Sequence, residues 1–215
     1  MSKIILVTLP SSDRTTRYIS TWAQLAIHNL KSKNFKLITL EKERAVKIVF
    51  ESMVHKHAPT FIFLNGHGGS DLVCGQNNEI LIQEGKNELI LKGTISYALS
   101  CSSAKVLGPS AITAGATSYI GYKEDFIFFI SSEKRTKPQE DKTAEMFLAP
   151  ANQIVVSLVK GHTVAEAIDM TKKYFLKSIR RFVSSEASSE EREYMRYLLW
   201  DMRNLVYHGN PASKI

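Results

Sequence analysis

The sequence is poor in cysteine and lacks long hydrophobic runs. Its 215 residues include only two cysteines, so no disulfide framework is expected and a reducing cytoplasm is the predicted location. No apolar run approaches the ~18 residues that a membrane-spanning helix needs, so we expect no membrane association. The apolar part of the first ten residues is too short for a secretory signal and is typical of a strand.

The excess of positive charge is modest. The chain has 28 Lys and Arg residues against 21 Asp and Glu residues, a net charge of +7 that would suit nucleic-acid binding. The densest basic cluster comprises Lys172, Lys173, Lys177, Arg180 and Arg181. Because the other cationic residues are spread along the chain, a solvated helix face is favoured, and nucleic acid is not an expected partner.

The order of apolar patterns indicates an α/β fold. Strand-like runs alternate with helix-length amphipathic stretches, which is typical of a mostly parallel sheet flanked by helices, and the last third is helical. We expect one domain over residues 1–215, with residues 143–207 as part of it. Strands are predicted at residues 3–9, 35–40, 60–65, 94–99 and 118–122, with a hairpin at 71–82 and a short final strand within 204–209. Helices are predicted from Ser11 or Ser12 to about residue 30, and over 41–57, 108–116, 143–160, 163–183 and 188–204.

Two of these strands end on chemically capable side chains. One reads Thr60-Phe-Ile-Phe-Leu-Asn-Gly-His67-Gly68, and the other reads Thr94-Ile-Ser-Tyr-Ala-Leu-Ser-Cys101. The carboxyl ends of parallel strands meet at one edge of a sheet, where ligands of open α/β folds bind. A thiol beside an imidazole is a nucleophile with its base, so the two strand ends predict a cysteine hydrolase.

The arrangement resembles the caspase-like (clan CD) cysteine peptidases, and among them the CHAT and gingipain branches. The segment 71–82 resembles the hairpin that follows the histidine in many CHAT domains. Residues 107–121 resemble the helix, Gly-Ala turn and strand that follow the cysteine. The segment His208-Gly209-Asn210-Pro211 resembles a terminal Gly-Asp-Pro, with asparagine in place of aspartate.

The resemblance implies a caspase–hemoglobinase-like three-layer sandwich and a cysteine endopeptidase that works through a thioacyl-enzyme. Cys101 would be the nucleophile, and His67 would accept its proton and protonate the leaving amine. The backbone N–H groups of Gly68 and Cys101 would form the oxyanion hole. Neither a cofactor nor a metal is expected.

The loop after the histidine strand and the loop after the strand that follows the cysteine are expected to select the substrate. In clan CD folds they line the S1 pocket, and here they contain Asp71, Glu124 and Asp125. An acidic group in an otherwise basic chain suggests cleavage after arginine or lysine. The acidic residue that metacaspases carry just before the cysteine is absent, because Leu99 and its neighbours stand there.

A polar loop over residues 131–142 suggests regulation. It carries Lys134, Arg135 and Lys137 beside a proline, and exposed polar loops are preferred sites of proteolytic nicking. Cleavage there would activate the enzyme. Stand-alone prokaryotic relatives act in stress or antiviral defence with a separate activating protein, so the resemblance implies a regulatory protein partner besides a protein or peptide substrate.

Other interpretations of the same residues remain open. A non-catalytic caspase-like or Rossmann-like module for interaction or sensing would keep the sheet without using Cys101. The glycines at 66–69 match no phosphate-binding spacing. Cys74 with His67 and Cys101 could ligate zinc, but a fourth ligand is not evident.

Overall fold

The computed structural model describes residues 3–28, 35–182 and 189–215. Its strands are β1 (Lys3–Leu9), β2 (Phe35–Glu41), β3 (Phe61–Asn65), β4 (Gly68–Gly69), β5 (Leu72–Cys74), β6 (Ile80–Gln83), β7 (Ile95–Leu99), β8 (Ser118–Tyr122) and β9 (Leu205–Gly209). Its helices are α1 (Arg14–His28), α2 (Lys47–His57), α3 (Leu107–Thr113), α4 (Lys142–Val159), α5 (Val164–Arg180) and α6 (Ser189–Asn204).

The main sheet of the described chain has six strands in the order β2-β1-β3-β7-β8-β9. Neighbouring strands from β2 to β8 pair in parallel, and β9 runs antiparallel to β8 at the edge. Parallel neighbours need crossover connections, and α1, α2 and α3 lie in those connections. The strands β3 and β7, which carry the two motifs, lie side by side at the centre of the sheet.

Helices cover both faces of the sheet because its central strands are apolar on both sides. Along β3, Phe61 and Phe63 pack into one buried cluster, and Ile62 and Leu64 pack into the other. The first cluster includes side chains of α1, α4, α5 and α6, and the second includes those of α2 and α3. Three layers result, as predicted. None of the described helices has the length and apolarity needed to cross a membrane.

A second, small antiparallel sheet follows the histidine. It has the order β4-β5-β6, so the predicted hairpin is present as β5 and β6, and the glycines after His67 add a third strand. The backbone N–H of Cys74 donates to the His67 carbonyl at 2.8 Å. This sheet therefore fixes the chain where it leaves β3.

Two helix starts differ from the predicted ones. The helix α1 begins after Asp13, whose Oδ1 accepts the Thr16 backbone N–H at 2.8 Å, so Asp13 caps the helix and not Ser11 or Ser12. The helix α2 begins at Lys47 and not at residue 41, because residues 42–44 form a separate 3-10 turn. The predicted ends near residues 30 and 183 lie outside the described residues.

Candidate active site

The pairing of β3 with β7 places His67 and Cys101 at equivalent positions. Asn65 on β3 and Leu99 on β7 are register partners, and His67 and Cys101 each lie two positions further along their own strand segment. Gly66 lies between Asn65 and His67 and has a φ of 147°, and an added Cβ there would come within 2.2 Å of the Cys74 carbonyl oxygen. Only glycine fits this turn, because any side chain would clash with the backbone of β5.

The backbones of the two motif segments touch at Gly68. A Cβ added to Gly68 would lie 2.9 Å from the Cys101 carbonyl oxygen and 2.9 Å from the Ser100 Cβ. This proximity brings together the two residues that were predicted to supply the oxyanion hole. Among the described residues, no hydrogen bond joins the His67 ring to the Cys101 thiol.

The His67 ring is instead held by Asp13, which the sequence analysis did not identify. The His67 Nε2 atom lies 2.8 Å from Asp13 Oδ2, and both side chains are more than one-third exposed (36% and 39%). A carboxylate that accepts the Nε2–H orients the ring and leaves Nδ1 as the atom that can accept a proton. Burial would raise the pKa of Asp13, but hydrogen bonds from the Thr16 backbone and from His67 outweigh it and hold that pKa below its usual range.

The Cys101 thiol lies under the segment that follows β8. Its Sγ–H donates a long hydrogen bond to the Phe126 carbonyl oxygen at 3.9 Å. Burial, followed by the negative charge of Asp125, raises the pKa of Cys101; the Phe126 backbone lowers it in part, and Asp201 raises it further. The thiol of the free chain is therefore protonated at neutral pH.

A buried carboxyl lies behind this segment. Asp201 on α6 is 0% exposed, and its Oδ1 accepts the Ile127 backbone N–H at 3.0 Å. Its Oδ2 has no hydrogen-bond partner in the described structure, and the same holds for the buried Tyr122 hydroxyl. Burial raises the pKa of Asp201 well above its ordinary value, although the Ile127 N–H lowers it in part.

The three acidic residues that were predicted to bind substrate have different surroundings. Asp125 accepts the Ser102 hydroxyl at 2.7 Å, next to Cys101 in sequence. Glu124 forms an ion pair with Lys105 at 3.1 Å, and Asp71 accepts the side-chain amide of Gln83 at 3.0 Å within the hairpin. Asp125 is thus the one whose charge acts directly on the thiol.

The turn after Cys101 is strained. Ser102 has a φ of 52°, in the left-handed region that few residues other than glycine adopt. Its backbone N–H donates to the Glu124 carbonyl oxygen at 3.2 Å. Through its backbone and its hydroxyl, Ser102 therefore joins the turn after Cys101 to Glu124 and to Asp125.

The predicted processing loop lies against α1. The Tyr18 hydroxyl donates to the Lys134 carbonyl oxygen at 2.8 Å, and the Arg17 side chain donates to the Arg135 carbonyl oxygen. The side chains of Lys134 and Lys137 both pair with Glu140. The side chains of Arg135 and Lys137 are exposed, so a protease could reach them.

No metal-binding group of three or more His, Cys, Asp or Glu side chains occurs within residues 3–28, 35–182 and 189–215. Cys74 is buried on β5, and burial raises the pKa of its thiol. A buried neutral thiol is typical of packing rather than of reactivity.

Sequence signals existed for both acidic residues that were missed. Asp13 follows the carboxyl end of β1, the neighbour of β3, so the strand-end rule that selected His67 would also have selected it. Asp201 lies three residues after the buried Leu198 on the same helix, so it is an acidic residue on the buried face of that helix.

Comparison with known proteins shows likeness in structure and not in sequence. No family model matches the chain, and no curated protein matches it. A solved complex of the pro- and mature domains of RgpB from Porphyromonas gingivalis has a TM-score of 0.60 at 8% identity, over 99% of this chain and 48% of that one.

Two further structures resemble the chain. A secreted C11 cysteine protease from Bacteroides thetaiotaomicron, in complex with an irreversible peptide inhibitor, has a TM-score of 0.51 at 11% identity, over 89% of this chain and 63% of that one. Separase from Saccharomyces cerevisiae, in complex with securin, has a TM-score of 0.51 at 16% identity, over 97% of this chain and 12% of that one. The chain spans less than two thirds of the length of each of these proteins. It has a caspase-like fold, as the sequence predicted.

Proposed function

We propose that the chain is a cysteine endopeptidase with Cys101 as nucleophile and His67 as its base. The observation that carries this proposal is the register of β3 and β7, which sets both residues two positions beyond paired strand ends. Contact between Gly68 and the Cys101 backbone supports it. Asp13, which is hydrogen-bonded to the Nε2 atom of the imidazole, is the positioning residue for His67.

The proposed reaction uses each group in turn. His67 Nδ1 takes the thiol proton, and the Cys101 sulfur attacks the peptide carbonyl carbon. The N–H groups of Gly68 and Cys101 stabilise the oxyanion, and His67 gives its proton to the leaving amine as the C–N bond breaks. Water then hydrolyses the thioacyl-enzyme. Because the thiol and imidazole are not bonded in the free chain, we infer that their hydrogen bond forms only with substrate bound.

A basic P1 residue is the proposed substrate feature. Of the three acidic candidates, Asp125 is the one whose charge raises the pKa of the proposed nucleophile. Glu124 is paired with Lys105, and Asp71 is hydrogen-bonded to Gln83. An arginine or lysine side chain beside Asp125 would offset a negative charge that opposes thiolate formation. A preference for leucine, methionine or aspartate at P1 would contradict this.

Covalent labelling tests the proposed nucleophile and base. An acyloxymethyl-ketone peptide with arginine at P1 is expected to modify Cys101, as mapped by peptide mass spectrometry, and His67→Ala should abolish the adduct. His55→Ala is the matched control, because His55 is exposed on α2 and should leave labelling intact. No adduct with any of several P1 residues, before or after nicking, would instead favour a non-catalytic caspase-like module.

Activation by cleavage within residues 131–142 is part of the proposal. Tyr18→Phe removes a hydrogen bond to the Lys134 carbonyl and one to Asp141, so trypsin should nick the loop several times faster. Peptidase activity should rise with the nicked fraction seen by gel electrophoresis. Full activity from an intact single chain would refute activation by cleavage.

A protein partner is also proposed. Two structural neighbours were solved with a protein segment or subunit bound, a pro-domain in RgpB and securin with separase. Co-purification from the native host, with the partner identified by mass spectrometry, tests this. The CHAT branch, a cytoplasmic location and a role in prokaryotic stress or antiviral defence stay predictions of the sequence.

A further inference from the structure

Three successive residues after β8 connect α6 to the nucleophile. The Asp125 carbonyl oxygen accepts the Trp200 indole N–H at 2.9 Å, and the Ile127 backbone N–H donates to Asp201 at 3.0 Å. Between them, the Phe126 carbonyl oxygen accepts the Cys101 thiol at 3.9 Å. The Phe126 carbonyl and the Ile127 N–H belong to one peptide group, so Asp201 holds the peptide group that faces the sulfur, and Trp200 holds the peptide group before it.

We propose that Trp200 and Asp201 are positioning residues that hold the Phe126 carbonyl over the Cys101 thiol. In this arrangement α6 keeps the nucleophile capped until the Phe126–Ile127 peptide group separates from the helix. The inference rests on the proposed function, since it concerns access to the same thiol. It adds an autoinhibitory contact that is built from the C-terminal helix.

The state of Asp201 argues against a role in packing alone. A fully buried carboxyl with one oxygen lacking a partner is an unfavourable substitute for an apolar side chain at a buried helix position. Within residues 3–28, 35–182 and 189–215, its one side-chain hydrogen bond goes to the 123–131 segment. The hydrogen bond to the Ile127 N–H therefore accounts for a carboxyl at this buried position.

The exposure of Trp200 also indicates a role in holding the 123–131 segment rather than in core packing. Trp200 is 42% exposed and the adjacent Leu199 is 41% exposed, so neither residue is buried in the core. The segment that it holds has no regular secondary structure between β8 and the short turn at residues 132–134. The ring of Phe126 packs on Tyr122 at a centroid distance of 4.8 Å, which favours the closed position further. Phe128 and Phe129 of the segment also pack against the core, and the Phe129 ring lies 4.9 Å from that of Tyr197 on α6. The hydrogen bonds from α6 therefore set the local position of the Phe126–Ile127 peptide group within a segment that packing retains.

The rate of Cys101 alkylation by iodoacetamide measures the cap directly. The full chain is treated at neutral pH, and modification of the Cys101 peptide is followed by mass spectrometry. Trp200→Phe keeps an aromatic ring but loses the indole N–H, and Asp201→Ala loses the acceptor for the Ile127 N–H. Each lost hydrogen bond should raise the open population, and hence the rate, roughly fivefold. Asp201→Asn, which keeps an oxygen acceptor, should give a smaller rise than Asp201→Ala.

Two controls separate the cap from general loosening. Trp22→Phe removes a comparable bond, from the indole N–H to the Pro138 carbonyl oxygen at 3.1 Å, and should leave the Cys101 rate unchanged. Cys74 is buried in the same chain and should stay slow in every variant. An unchanged Cys101 rate in Trp200→Phe and Asp201→Ala would overturn the proposal. The proposal would also be overturned if Cys74 alkylation rose as much as Cys101 alkylation, or if Trp22→Phe raised the Cys101 rate as much as the α6 variants do.

Hydrolysis of a peptide with arginine at P1 is measured on the same samples. Faster alkylation without turnover of any peptide would support the cap and refute the proposed peptidase. Turnover by the unaltered chain, with alkylation unaffected by Trp200→Phe and Asp201→Ala, would support the peptidase and refute the cap.

Discussion

Substitution of Asp13 can separate the two roles of this side chain. Its Oδ1 accepts the Thr16 backbone N–H at 2.8 Å and caps α1, and its Oδ2 holds His67 at 2.8 Å. Asparagine keeps an oxygen for the cap and removes the negative charge beside the imidazole. Alanine removes both contacts. Asp13→Asn should therefore affect activity more than stability, whereas Asp13→Ala should affect both.

The structure sets the size of each effect. Loss of an N-cap lowers stability by about 1 kcal/mol, which for a chain of this size lowers Tm by about 2–4 °C. Asparagine caps as well as aspartate, so Asp13→Asn should change Tm by less than that. A hydrogen bond to a charged group contributes about 1.5 kcal/mol at the lower end of its range, suitable for side chains that are 36% and 39% exposed. Both variants should thus lose about tenfold in kcat/KM.

The assay combines thermal unfolding with hydrolysis of a fluorogenic peptide that has arginine at P1. Thr16→Val is the matched control, since it removes the hydroxyl contacts to Asp13 but keeps the backbone N–H that the carboxylate accepts. It should lower Tm and leave kcat/KM at the level of the unaltered chain. Equal kcat/KM in Asp13→Asn and the unaltered chain would refute the role of Asp13 in orienting His67.

The pH dependence of stability provides an independent check on Asp13. Its pKa is lowered in the folded chain, so its contribution is present above the unfolded value of about 3.9 and is lost as the pH falls through the lower folded value. The stability difference between the unaltered chain and Asp13→Asn should therefore shrink in acid. Urea unfolding at several pH values measures it, and a difference that grows in acid would contradict the sign.

Two further predictions concern the turn and the thiol. Gly66→Ala should lower the free energy of unfolding in urea by about 3 kcal/mol, because its Cβ would come within 2.2 Å of a carbonyl oxygen of β5. Gly85→Ala is the control, since Gly85 has a φ of 70° and no atom within 4 Å of an added Cβ, and it should cost about 1 kcal/mol. Equal losses would refute the steric reason. Asp125→Asn should lower the pH midpoint of Cys101 alkylation, since the negative charge of Asp125 raises the thiol pKa. Asp169 is exposed, and Asp169→Asn should leave the midpoint unchanged. An unchanged midpoint in Asp125→Asn would contradict the effect of Asp125 on the thiol.

Local patterns predicted the sheet because its strands are continuous apolar runs between clear breaks. The bounds of β1 and β8 agree with the predicted ones, and the hairpin after the histidine is present. The start of α2 could not be predicted, since it depends on a distant contact. The Ala45 carbonyl oxygen accepts the Gln76 backbone N–H at 2.8 Å, and a Cβ on Gly75 would lie 2.0 Å from that oxygen. This contact fixes the chain before the helix in a non-helical form.

The sequence led to the proposal of His67 and Cys101 as catalytic residues, but the hydrogen bonds of the site could not be predicted from it. Neither the bond from His67 to Asp13 nor the closed position of Phe126 over Cys101 appears in any local pattern. Both depend on pairs of residues that are far apart in the chain, and periodicity within one segment carries no information about such pairs.

The core and the candidate site share one structural determinant, the register of β3 and β7. Phe63 and Tyr97 are register partners whose rings stack at 5.1 Å and 7°, inside the cluster that the helices cover. A slip of one residue would turn these rings to the other face and would also misalign His67 with Cys101. Packing of the core therefore positions the proposed catalytic pair, and among the described residues no hydrogen bond joins the His67 ring to the Cys101 thiol. The hydrogen bonds from the 123–131 segment to α6 are separate from this register, although Phe126 of that segment belongs to the same buried cluster.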